Sequence, residues 1–165
     1  MPSILFVCTG NICRSPMAEA LFRQKVAARP DAANWRIASA GTWALEGRPA
    51  EKLARRTLSQ RGLDARSHRA RVVSAQLLEA FDLILVMEAG HKEALCLEFP
   101  QVAGRVYMLS EMVDRYYDIV DPIGGSEMDF EDTADELQKL FDRGMQRILQ
   151  LVGLPTEQED RPSQE

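Results

Sequence analysis

From position 8 the chain reads Cys8-Thr9-Gly10-Asn11-Ile12-Cys13-Arg14-Ser15, a loop with a thiol at its start and a guanidinium six residues later. Arginine offers donors in a planar fork that matches two oxygens of a phosphoryl group. Gly10 and Asn11 tolerate left-handed backbone angles, which curl successive N–H groups inward into an anion-binding nest. A sulfur among those N–H groups, a helix terminus and a guanidinium is favoured as the nucleophilic thiolate. A phosphate ester seated on residues 9–15 would present its phosphorus to Cys8 for in-line attack, with the leaving oxygen outward. Ser15 lies within reach of Cys8, and its hydroxyl can stabilise the thiolate as it leaves in a second step. The loop lacks the Gly-Lys-Ser/Thr ending of a nucleotide P-loop. A lone cysteine at a strand end is usually a small buried hydrophobe; the combination with Gly10, Asn11 and Arg14 is what points to chemistry.

The leaving oxygen of such a reaction needs a proton, so a carboxyl group should approach the outward side of the loop. Asp121 opens Asp121-Pro122-Ile123-Gly124-Gly125, where Pro122 fixes local geometry and the glycines allow tight turning. Alone, Asp-Pro is most often a turn; together with the loop at 8–15 it becomes the candidate general acid, with Asp118 next in line.

Those groups need a frame. Residues 3–7 (SILFV) are a short apolar run rich in β-formers, the pattern of a buried parallel strand. Ser15 and Pro16 then suit the cap and first turn of a helix ending at Pro30. Further strands are expected at 35–40, 82–87 and 105–109, and helices at 50–62, 74–80, 89–98 and 131–152. Residues 111–129 read as a long loop or short helix. Strands alternating with helices mean an α/β fold of one domain, a parallel sheet with helices on both faces. Ligands of such sheets bind at the carboxyl ends of the strands, which is where residues 8–15 emerge. The domain is expected to span 1–153, with the polar, proline-bearing segment 154–165 as a disordered tail.

Composition narrows the classes. The 165 residues suit one domain, with 45% hydrophobic and 27% charged residues and a net charge of −5. An acidic chain gives no reason to expect nucleic acid or an anionic membrane as partner. The arginine-bearing stretches at 55–56 and 68–71 are short, and Arg55-Arg56 reads as solvated surface. The apolar run at the N-terminus is too short for a signal-peptide core or a membrane span, so a cytoplasmic protein is expected. Three cysteines make no disulfide framework. With two histidines they make no zinc pattern either, so no metal or cofactor is expected.

The run VCTGNICRSPMAEALFR at 7–23 resembles the signature of the low-molecular-weight protein tyrosine phosphatases. Ser39-Ala40-Gly41-Thr42, His68-Arg69-Ala70-Arg71, Asp82-Leu83-Ile84-Leu85 with Met87, and Asp121-Pro122 match in the same order. The resemblance implies a four-stranded parallel sheet (order 2-1-3-4) and a two-step mechanism through a phosphocysteine. Cys8 would be the nucleophile, Arg14 the phosphate clamp, and Asp121 the acid and then the base for water. It also implies that Asn11, Ser15, Ser39 and His68 brace the loop, although His68 also fits a surface histidine. Cys13 would be a resolving partner for oxidised Cys8 or simply a buried small residue. A phosphorylated protein is the implied substrate, with phosphate and other oxyanions as inhibitors.

Specificity points two ways. Tyrosine phosphatases of this kind carry tyrosines just after Asp-Pro, whereas this loop reads DPIGGS and resembles the related protein arginine phosphatases, as does the early Trp43. Those enzymes carry threonine where this chain has Ile12, and isoleucine offers a phenyl ring apolar contact. Trp43, Leu45 and Ile123 are the other candidate walls of the substrate slot. On balance phosphotyrosine is favoured. An arsenate reductase would need further downstream cysteines, and Cys96, beside Leu95 and Leu97, reads as core. A non-catalytic phosphate-binding module would need neither a thiolate nor an acid.

Overall fold

The computed structural model describes residues 1–156, so the tail expected over 154–165 lies outside the described residues from position 157 on. Strand β1 (Ser3–Cys8) is buried along its whole length. Alternation sends Ile4, Phe6 and Cys8 to one face and Leu5 and Val7 to the other, and the two sets fall in separate apolar clusters. Strands β2 (Arg36–Gly41) and β3 (Leu83–Val86) pair with β1 on either side, and β4 (Val106–Met108) pairs with β3. All pairings are parallel, as the alternating pattern implied, in the order β2-β1-β3-β4 that the family resemblance implied.

Helices α1 (Arg14–Ala27), α2 (Lys52–Gln60) and α5 (Glu127–Leu151) cover the face that holds Phe6, where Phe6, Phe22 and Phe141 meet edge to face. Such contacts add to the energy of burial. Helices α3 (Ala75–Glu79) and α4 (Ala89–Glu98) cover the other face with Leu78 and Leu95. Cys96 is partly buried against this second cluster. No helix among the described residues is long and apolar enough to cross a membrane.

Two helix starts differ from expectation. Helix α5 begins at Glu127, not 131, because Ser126 and Asp129 close a reciprocal capping box: each side chain accepts a hydrogen bond from the other's backbone N–H. Helix α1 begins at Arg14 with Cys13 as its cap residue and no side-chain cap. Ser15 therefore caps nothing; its hydroxyl is engaged by Cys8 and Asn11. In register, Cys8 stands opposite Gly41 and Val7 opposite Val86. Strands β2, β1 and β3 thus end at one level, and the segments that follow them share one rim.

Candidate active site

The loop leaving β1 wraps over that rim. Its carbonyls are taken by neighbours: Cys8 O accepts from Thr42 N, Thr9 O from Trp43 N, and Ile12 O from Glu51 N. The N–H groups of residues 10–15 have no acceptor among the described residues. Amides left unpaired at a helix start, at the positive end of its dipole, are an anion site by construction. Asn11 makes the turn with φ 54°, a left-handed angle that asparagine tolerates better than most residues. Gly41 is required alongside: a Cβ there would collide with Thr9 O.

Asn11 is tied on every side. Its Nδ2 donates to Ser15 Oγ at 2.8 Å and Ser39 Oγ at 3.0 Å, and its Oδ1 accepts from Arg71 N at 3.0 Å. Its carbonyl lies 2.7 Å from His68 Nε2, which must carry the hydrogen because a carbonyl only accepts. Arg71 Nε in turn donates to Ser39 O. Ser15 Oγ, already accepting from Asn11, lies 2.9 Å from Cys8 Sγ and 3.4 Å from Ala40 O. The sulfur is the closer acceptor for the hydroxyl hydrogen. Asn11, Ser15, Ser39 and His68 are thus assembled around the loop, with Arg71 as an unforeseen fifth member.

Arg14 is 2% exposed. Its Nη1 donates to Ile119 O at 2.7 Å, and its Nη2 pairs with Glu88 at 2.9 Å and Asp121 at 3.5 Å. Asp121 keeps 40% of its side-chain surface exposed, and its other oxygen accepts from Ile123 N. Asp118 instead accepts from Ala89 N at the start of α4, outside the cavity. That cavity, of about 200 Å³, is lined by Cys8, Thr9, Gly10, Ile12, Cys13, Arg14 and Asp121, and at its mouth by Trp43, Leu45, Arg48 and Ile123. The expected nucleophile Cys8, clamp Arg14 and acid Asp121 and the expected walls Ile12, Trp43, Leu45 and Ile123 meet in this one space, whereas Asn11 and Ser15, also expected to bind phosphate, do not line it. The bracing residues Asn11, Ser15, Ser39 and His68 stand behind it.

Three residues around the site escaped the sequence reading: Arg48, which lines the cavity, and Glu88 and His91, which touch its lining residues Arg14 and Thr9. Glu88 lies two residues past the end of β3, and the expected strand order already set the end of β3 beside β1, so the signal was there in the topology. His91 sits one helical turn on, 6% exposed, with Nε2 at 2.8 Å from Thr9 Oγ1 and 3.2 Å from Glu88 Oε2. Burial holds His91 below its ordinary value, with Arg14 adding to the shift and Glu88, Asp118 and Asp121 opposing it. Burial likewise pushes the Cys13 thiol far up, with Asp121, Cys8 and Glu51 adding to it. Burial thus favours the neutral thiol form of Cys13, which lines the cavity with Cys8. All three cysteines are free.

The model of the low molecular weight phosphotyrosine protein phosphatases matches residues 3–151. The chain belongs to this family. Its relatives include "Probable low molecular weight protein-tyrosine-phosphatase EpsP" of Ralstonia solanacearum, 41% identical over 88% of this chain and 95% of that protein. They also include the protein-arginine-phosphatase of Bacillus subtilis, 38% identical over 84% of this chain and 91% of that one. The crystal structure of the low molecular weight protein tyrosine phosphatase from T. tengcongensis superposes with a TM-score of 0.82 at 37% identity, covering 89% of this chain and 99% of that one. The protein is a cysteine-based phosphatase of the group that holds both the tyrosine and the arginine enzymes.

Proposed function

We propose that this phosphatase hydrolyses phosphotyrosine in proteins through a phosphocysteine formed on Cys8. The observation that carries this reading is the shared cavity, in which a cysteine, an arginine and an accessible carboxyl group meet beneath apolar walls. In the first step the Cys8 sulfur forms a bond to phosphorus as the phosphorus–oxygen bond of the ester breaks. Arg14 and the free amides of the loop bind the three equatorial oxygens, where charge spreads in the transition state. Asp121 gives its proton to the departing phenol oxygen. In the second step Asp121, now ionised, takes a proton from water as its oxygen attacks phosphorus, and the sulfur leaves with the Ser15 hydroxyl donating to it. The free thiol this requires fits a reducing compartment, and we place the reaction in the cytoplasm.

Ile12 supports the aromatic substrate. It is 6% exposed on the cavity wall and offers no polar atom to a guanidinium, while Trp43, Leu45 and Ile123 add apolar surface at the mouth. The second reading, a protein arginine phosphatase, is favoured by the sequence of the acid loop, where Asp121-Pro122 is followed by Ile123-Gly124-Gly125 and no tyrosine. Parallel hydrolysis of phosphotyrosine and phosphoarginine peptides separates the two. The wild-type protein should favour phosphotyrosine, and Ile12→Thr should move the ratio about tenfold toward phosphoarginine by supplying a hydroxyl partner. Faster hydrolysis of phosphoarginine by the wild type would transfer the assignment to the second reading. An unmoved ratio would remove Ile12 from the basis of selectivity.

A further inference from the structure

The imidazole of His91 is buried behind the cavity, and only one of its nitrogens is satisfied. Nε2 faces two oxygens, Thr9 Oγ1 and Glu88 Oε2, whereas Nδ1 is buried with no partner among the described residues. That asymmetry selects the tautomer. A hydrogen on Nδ1 would leave a buried donor without an acceptor, and would aim the bare Nε2 lone pair at a carboxylate; both cost free energy. The hydrogen therefore resides on Nε2, shared between the two oxygens, with the better distance to Thr9. Burial disfavours a second proton on the ring, because it would have to sit on the orphaned Nδ1.

The consequence falls on Thr9. A hydroxyl that accepts from an imidazole N–H points its own hydrogen elsewhere, and His91 is its side-chain partner among the described residues. Thr9 lines the cavity together with Cys8, on a loop whose neighbouring amides lack acceptors. We propose that His91 is a positioning residue that turns the Thr9 hydroxyl into a hydrogen-bond donor for the phosphoryl group held over Cys8. The bound oxyanion thus receives a side-chain donor from the start of the loop, opposite the guanidinium supplied by Arg14 at its end. This rests on the phosphoryl-transfer reading of the cavity and adds a specific binding group to it.

The test is direct binding of inorganic phosphate, measured by titration calorimetry at pH 7.5 on the full chain, beside turnover of a phosphotyrosine peptide. Thr9→Val, which keeps the shape and removes the donor, should weaken phosphate binding about tenfold, and Thr9→Ser should not. His91→Leu should weaken it by a similar factor, and His91→Gln, whose amide can still donate to Thr9, should recover most of the loss. The double variant Thr9→Val with His91→Leu should bind no more weakly than Thr9→Val alone, because the imidazole acts through the hydroxyl. A purely structural histidine would lower the melting midpoint and leave phosphate affinity unmoved. That result, unchanged affinity in Thr9→Val, or additive losses in the double variant would overturn the proposal. A wild type that binds phosphate but turns over no phosphoester would sink the catalytic reading instead, with the Thr9–His91 coupling still measurable.

Discussion

The loop at 8–15 and the loop that carries Asp121 face each other across one cavity, and they are built in opposite ways. In the first, residues 11–15 are buried, the turn at Asn11 is held by four hydrogen bonds, and Arg14 is almost fully enclosed. In the second, Val120 and Ile123 are exposed, and Asp121 keeps much of its surface in water. Its anchors are few: Ile119 N bonds to Met87 O, Ile119 O accepts from Arg14, and Asp118 accepts from Ala89 N. The difference follows from what each side meets. The phosphoryl group is the same in every substrate, so its site can be rigid and prepaid in folding energy. The leaving group and its flanking chain differ from substrate to substrate, so their side is an open edge whose side chains set preference without holding the fold together.

Substitutions on the two sides should therefore fail differently. On the open side, Asp121→Asn should slow turnover of an aryl phosphate by about 10²-fold and shift the melting midpoint by less than about 2 °C, read from initial rates and a thermal melt of the same sample. Near-normal turnover would move the acid role to another carboxylate and break the contrast. On the closed side, Asn11→Ala removes two donors and one acceptor, leaves Arg71 N without its partner, and puts alanine at a left-handed angle. It should cost about 2 kcal/mol of stability, a drop of roughly 4 to 8 °C for a domain of this size, together with weaker phosphate binding. An Asn11→Ala protein that melted like the wild type would show that the loop is not held by this network, and the two sides would then be alike.

What could be seen in the sequence depended on how far apart the cooperating residues lie along the chain. Cys8 and Arg14 were legible because strand, loop and helix follow one another without a break, and the geometry of that junction is local. That the sheet is parallel was legible from the alternation of strands and helices, and its strand order only from the family resemblance. The fork of contacts on Arg14 was not, because Glu88 and Ile119 reach it from segments more than seventy residues away. His91 was weighed only as a metal ligand, since nothing near it in the sequence shows that its ring turns toward Thr9. Ser15 was misassigned for a related reason: its type and place before Pro16 suit a helix cap, but the thiol and Asn11 compete for the same hydroxyl and win it. The start of α5 was legible in principle from Ser126 and Asp129, which have the spacing of a capping box, and was missed behind the glycines that precede it.

The account stands on transfer of the phosphoryl group to sulfur. Rapid acid quenching of the enzyme during turnover of a phosphotyrosine peptide, followed by mass spectrometry of the fragment bearing Cys8, measures this directly. The account predicts a phosphoryl adduct on Cys8 that accumulates within the first turnover, with Cys8→Ser binding phosphate but releasing no product. Sustained turnover by Cys8→Ser, or an active enzyme that never carries phosphorus on that sulfur, would contradict it.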